Sequence, residues 1–208
     1  MIPKLLLFSM LIALILPLYS HAGATDDKNT LHKRIEQCEL CHSIDTKVPS
    51  IAPSLDGMAD GYIVEQLENF RQSRRGVDSA DQFTQDMSQQ ANALNDRQIS
   101  LIADYYSGRK RHHSNESVSG NAENGEHLYA QLCEGCHSSI LGRYFTKSPR
   151  ITHLRGSYLR TQLEEFSAGK RQVMKDSEHK LKMVEVAGQL SGREQSDIVA
   201  FIKEHYTD

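Results

Sequence analysis

Cys38-Glu39-Leu40-Cys41-His42, met again as Cys133-Glu134-Gly135-Cys136-His137, is the stretch on which the fold turns, and the two pentapeptides use all 4 cysteines of the 208-residue chain. Two thiols spaced by two residues can add across two porphyrin vinyl groups while the adjoining imidazole sits beneath the iron, and C-x-x-C-H is the attachment signature of c-type haem. Two copies predict two covalently bound haem c groups (iron). Cys38, Cys41, Cys133 and Cys136 are then the thioether anchors, and His42 and His137 are iron ligands. Other uses of paired cysteines fit less well. A zinc ribbon places its Cys pairs about 15 to 20 residues apart, whereas most of a domain separates these. A thioredoxin-like dithiol expects one motif in a βαβ context, and no strand-rich stretch flanks either copy.

Outward from the motifs the chain repeats itself. Pro53-x-Leu55 with Tyr62 is echoed by Pro149-x-Ile151 with Tyr158, and the segment Tyr62 to Phe70 (YIVEQLENF) by Tyr158 to Phe166 (YLRTQLEEF). Met87, seven residues before Leu94, is echoed by Met183, seven before Leu190. A single inserted residue accounts for the offsets, so the chain is a tandem duplication of one unit. Between the copies, RKRHHSNESVS has no apolar residue until Val118 and reads as an exposed linker. The expected organisation is a signal peptide over 1–24, a first domain over 25–108, a linker over 109–119 and a second domain over 120–208.

The signal assignment rests on Lys4, the apolar run from Leu5 to Leu18, and small residues at Ala22 and Ala24. It predicts an exported chain in the periplasm, an uncleaved membrane anchor being the alternative reading of a run short for a bilayer span. An oxidising compartment favours disulfides, yet no thiol is left over to form one, so the covalent cofactors take their place.

Apolar residues recur at helical spacing in each copy: Leu31 and Ile35 ahead of Cys38, Leu128 and Leu132 ahead of Cys133, then Ile63, Leu67 and Phe70. A last helix carries Ile99, Ile102, Ala103 and Tyr106 in one copy and Ile198, Phe201 and Ile202 in the other. Ser191-Gly-Arg-Glu194 is a capping box at its start, and Asn95-Asp-Arg-Gln98 a weaker version. The fold class is all-α: two tandem units of three or four helices, each too small for a generous core without the flat apolar surface of a haem.

In this order of landmarks the chain resembles the class I cytochromes c, and its duplication in an exported protein resembles the dihaem cytochrome c-four type, over about residues 28–206. The resemblance implies a cytochrome c fold in each half, histidine and methionine as axial ligands, and transfer of single electrons between periplasmic redox partners in a respiratory chain. It also implies that the carbonyls of Pro53 and Pro149 accept from the second nitrogen of each ligating imidazole. Some positions depart from the pattern. Ser43 and Ser138 follow the ligating histidines where glycine is common, and Asp56-Gly57 becomes Thr152-His153 in the second copy.

Met87 and Met183 are the candidate distal ligands because they share one repeat position, and a thioether favours ferrous iron. Met58 and Met174 have no such counterpart and read as filler, His112, His113 and His127 as solvated, while His153 and His179 leave a bis-histidine second site open. Two six-coordinate irons leave no vacant position for a substrate. The chain therefore reads as an electron carrier rather than an enzyme, with no small-molecule substrate. A quinol:cytochrome c reductase and a haem-copper terminal oxidase are the partners that the resemblance implies. The alternative is the electron-accepting cytochrome subunit of a periplasmic dehydrogenase such as a sulfide-oxidising flavocytochrome, for which a large apolar surface patch is expected. Membrane association is expected only through redox partners or an uncleaved signal. Charge adds two expectations. Residues 26–108 hold 14 Asp and Glu against 8 Lys and Arg, so the first domain is acidic. Lys170, Arg171, Lys175, Lys180 and Lys182 crowd the approach to Met183 and predict a basic rim there. No dominant basic patch supports nucleic-acid binding.

Overall fold

Side chains close the last helix of each half at its start. Asn95 accepts from the Gln98 amide at 2.9 Å while Gln98 reaches back to the Asn95 N–H at 3.0 Å. Ser191 and Glu194 repeat the exchange at 3.3 and 2.8 Å. Each box satisfies amides that no helical carbonyl can reach. The computed structural model describes residues 22–43, 52–76, 82–114, 116, 118–171 and 178–206. Nearly all of the expected signal segment, Met174 and Lys175 lie outside them.

Among the described residues the first half holds α1 (Ala22–His42), α2 (Asp60–Arg71), α3 (Gln82–Asn92) and α4 (Asp96–Ser107). The second holds α5 (Ala122–Leu132), α6 (Glu134–His137), α7 (Ile140–Thr146), α8 (Gly156–Ser167), α9 (Glu178–Gln189) and α10 (Gly192–His205). No strand occurs among the described residues, as an all-α chain requires. None of these helices is long and apolar enough to cross a membrane.

The apolar faces read from the sequence are the ones that bury. Ile63, Leu67 and Phe70 of α2 pack with Ile99, Ile102, Ala103 and Tyr106 of α4 and with Ile35 of α1. In the second half α5 crosses α10 closely because Gly125 allows it: a Cβ there would stand 1.9 Å from the Asp197 carbonyl oxygen. Asp197 fastens the crossing, accepting from the Asn121 N–H and from Asn124 Nδ2, both at 2.8 Å.

The methionines expected as ligands sit within helices, Met87 in α3 and Met183 in α9. One feature departs from the sequence expectation. The expected exposed linker is a half-buried strap at 111–114. Arg109 donates to Asp56 at 2.5 Å and Arg111 to the Gly57 carbonyl at 2.6 Å, while the Ser114 N–H donates to the His153 carbonyl at 3.1 Å and His113 Nδ1 to the Tyr206 carbonyl at 3.1 Å. Its polar composition serves these carbonyls as well as solvent, which composition alone does not distinguish.

Candidate haem-binding sites

Each C-x-x-C-H motif comes off a helix that its core holds in place. In the first half α1 runs on through His42; in the second, α5 stops at Leu132 and the short α6 carries Cys136 and His137. Each motif faces a cavity. The first, about 480 Å³, is lined by Cys38, Cys41, His42, Pro53 and Met87. The second is narrower, about 150 Å³, and is lined by Cys133, His137, Pro149 and Met183.

His42 Nδ1 donates to the Pro53 carbonyl at 2.7 Å and His137 Nδ1 to the Pro149 carbonyl at 2.8 Å. Since a carbonyl can only accept, the tautomer is fixed: Nδ1 carries the proton and Nε2 keeps its lone pair. That is the second-sphere arrangement that orients an imidazole toward a metal. Burial lowers the pKa of both histidines, opposed by the carbonyl bonds, so each rests in the neutral, ligating form.

The thiols tell against redox exchange. Burial pushes Cys38 up to about 11 and Cys133 up to about 12, whereas an exchange dithiol works through a low-pKa, exposed thiolate. Neutral thiols buried against an apolar cavity suit vinyl addition instead.

Met87 and Met183 each line the cavity that holds their half's histidine. Of the competing histidines, His179 lines the second cavity. His153 is 1 % exposed, lines neither cavity and, among the described residues, has no hydrogen bond at either ring nitrogen. It lies 6.4 Å ring to ring from His113. Burial, reinforced by Arg111, depresses it to about 3, so it stays neutral. Met58, expected as filler, is 5 % exposed and also lines the first cavity, and His127 is exposed on α5.

Between the cavities stands a polar wall that sequence reading missed. Tyr62, Gln66, Arg75 and Tyr158 line both cavities. Arg75 reaches from the first half to Tyr158 at 3.2 Å and Gln162 at 2.7 Å; Arg171 reaches back to Gln66 at 2.7 Å and also holds Gln162 at 3.0 Å. Arg75 and Arg171 share the offset that relates Met87 to Met183, which was the available signal. Both are buried, and these hydrogen-bond partners are neutral. Among the described residues, Arg75 Nε and Gln162 Nε2 are buried donors with no acceptor. Donors of this kind at the edge of apolar cavities fit the propionate carboxylates of haem, whose flat body the cavity linings suit.

The expected basic rim changes accordingly. Arg171 is 9 % exposed within the wall, Lys180 is ion-paired to Glu65 of the first half, and Lys182 bonds Glu185 at 3.1 Å. Of the cations crowded there in sequence, Arg171 and Lys180 are engaged with the first half, while Lys182 stays 60 % exposed in its surface pair.

Comparison with known proteins agrees with these sites. Residues 122–205 match the cytochrome c family. Cytochrome c4 of Pseudomonas aeruginosa is 26 % identical over 208 residues, covering 95 % of this chain and 97 % of that protein. The solved cytochrome c4 of Acidithiobacillus ferrooxidans superposes with a TM-score of 0.65 at 25 % identity, covering 81 % of this chain and 98 % of that one. A thiosulfate dehydrogenase of Marichromatium purpuratum also reaches 0.65, at 24 % identity, but over 36 % of its own chain, a likeness of fold alone. Fold and sites define a c-type cytochrome with two covalent haems. Over nearly its whole length the chain is similar to the cytochromes c4.

Proposed function

We propose that this chain carries single electrons between redox proteins of the periplasm, in a respiratory chain, with His42 and Met87 as the axial ligands of one iron and His137 and Met183 as those of the other. What supports the reading above all is that each cavity is lined by one histidine whose Nδ1 is held by a prolyl carbonyl and by one methionine from a following helix. Bound haem c supplies the one-electron Fe(III)/Fe(II) couple. The chain's own part is to orient the imidazoles, offer soft neutral thioethers that favour the ferrous state, and keep water from the porphyrin faces with apolar side chains. With haem bound, His42 with Met87 and His137 with Met183 would hold the irons and leave no position for a substrate, so the chemistry would be transfer rather than catalysis. One layer of side chains, Tyr62, Gln66, Arg75 and Tyr158, borders both cavities, a short passage for an electron between two haems.

Export rests on the leader read at residues 1–24, and a quinol:cytochrome c reductase upstream with a haem-copper oxidase downstream are the partners this reading takes. A spectroscopic redox titration of the mature protein tests it. Two low-spin haems that survive acid-acetone extraction are expected. A single haem, extractable haem or a high-spin resting iron overturns the assignment.

A further inference from the structure

α7 stands beside the second attachment motif with its apolar side chains turned outward. Ile140, Leu141, Tyr144 and Phe145 are 76, 67, 69 and 69 % exposed, and their spacing puts them on one face. The other face is fixed to the motif. A Cβ on Gly142 would lie 1.9 Å from the Gly135 carbonyl oxygen, so the helix presses directly on the attachment loop. Ser139 caps it by accepting from the Gly142 N–H at 3.1 Å. The Arg143 guanidinium donates to the carbonyls of His137 and Ser138. None of the four exposed side chains lines either cavity, so a porphyrin held there is not what covers them. The corresponding stretch of the first half, Ser43 to Ile51, has no aromatic residue and no adjacent pair of large apolar residues.

We propose that this stripe is the docking face of the second haem for a redox protein whose contact surface is apolar at its centre and acidic at its rim. The proposal deepens the electron-carrier reading and rests on it. Size and charge select the occupant. Four side chains about 70 % exposed offer on the order of 500 Å², taking roughly 150–250 Å² for a large side chain. A stable association needs roughly 800 Å² per partner, and transient redox encounters fall below that. A second copy or a permanent subunit would therefore be held poorly, while a carrier that must release its partner after each electron is served well. From Ser138 to His153 the chain carries no carboxylate and, besides Arg143, whose guanidinium is turned to the motif, Lys147 and Arg150. The Lys147 ammonium lies 5.6 Å from the Tyr144 ring centroid, placing a cation at the stripe's margin. Such a rim attracts an acidic protein, and the dry centre sets the register of contact. With Cys136 and His137 on the segment against which α7 packs, a partner seated here stands next to the second haem attachment.

The experiment uses the mature dihaem protein, reduced, and an acidic blue copper protein, plastocyanin, as the probe. One electron passes from Fe(II) to Cu(II), giving Fe(III) and Cu(I), and stopped-flow absorbance reads the second-order rate. Ile140→Ser with Phe145→Ser is expected to slow this reaction about tenfold, with a smaller effect for Tyr144→Ser. The rate with ferricyanide and both reduction potentials should stay as in the parent. Equal plastocyanin rates in parent and variants would overturn the proposal. So would flotation of the parent, lost in the variants, with phosphatidylcholine–phosphatidylglycerol vesicles, or a concentration-dependent dimer that the variants abolish. Failure of the parent to exchange electrons with ferricyanide would remove the electron-carrier reading itself, and this proposal with it.

Discussion

A histidine whose Nδ1–H donates to a prolyl carbonyl has one nitrogen left to bind with, and in each half that histidine follows two thiols and lines an apolar cavity. What faces it decides the redox behaviour. Met183→Ala should leave the second haem attached, because Cys133 and Cys136 remain, but convert it to a high-spin or ligand-substituted form and lower its potential as a soft donor to Fe(II) is lost. Optical and electron paramagnetic resonance spectra of the variant would check this. A second haem unchanged by Met183→Ala would move the assignment to His179, which lines the same cavity; His153 lines neither. At this scale the residues that the sequence marks by fixed offsets, His42, Pro53 and Met87 and their counterparts His137, Pro149 and Met183, are found on the cavity walls, and their role as ligands is the part proposed. Arg75 and Arg171 were not legible, because a guanidinium in sequence reads as solvated charge and nothing local marks the two that bury. Among the cations before Met183, Lys180 is tied to Glu65 of the first half, while Lys182 remains 60 % exposed in a surface pair with Glu185.

The element that carries most of the second half's rigidity is the crossing of α5 and α10. It depends on Gly125, whose backbone meets that of Asp197, and on the Asp197 carboxylate, which receives the Asn121 amide and the Asn124 side chain. These donors, the Asn121 amide foremost, hold the Asp197 carboxyl below its ordinary range. Its stabilisation is therefore complete above the unfolded value near 4 and disappears as pH falls through the lower folded one. Asp197→Ala removes two bonds to a charged acceptor, and a loss of about 3 kcal/mol is expected near neutral pH. Thermal melts of parent and variant should converge as pH falls below about 4; a gap that widens in acid would refute this account of the crossing. Long amphipathic helices with capping boxes, α4 and α10, were legible because periodicity and cap point to one answer. α3 and α9 were not, since Gln, Ser and Lys between their few apolar residues dilute the period. α7 escaped notice because its seven residues make barely two turns, too short for the one-face spacing of its apolar side chains to stand out.

At the scale of the whole molecule the two halves are joined crosswise. Arg75 holds Tyr158 and Gln162, Arg171 holds Gln66, and Arg155 donates to the Ser43 carbonyl at 3.1 Å. Duplication places equivalent residues face to face, so each half completes the wall of the other's cavity. The wall sets the electrical environment of both irons, because a buried cation favours Fe(II) over Fe(III) and so raises a reduction potential, the more strongly where water is excluded. Arg75 lines both cavities, whereas Arg171 lines only the second. Arg75→Gln should therefore lower both potentials and Arg171→Gln chiefly that of the second haem. In each case the shift should be some tens of millivolts, where about 59 mV corresponds to a tenfold change in a one-electron equilibrium. Arg75→Lys keeps the charge but loses the fork that reaches Tyr158 and Gln162 together, so it should restore much of the potential while leaving the halves less firmly joined. A redox titration of the three variants reads the potentials, and hydrogen exchange across α2 and α8 reads the joint. Potentials that stay put in both Gln variants would show that the wall holds the halves together without tuning the irons. A shift in the second haem alone for Arg75→Gln would show that each guanidinium acts only on the half it reaches into.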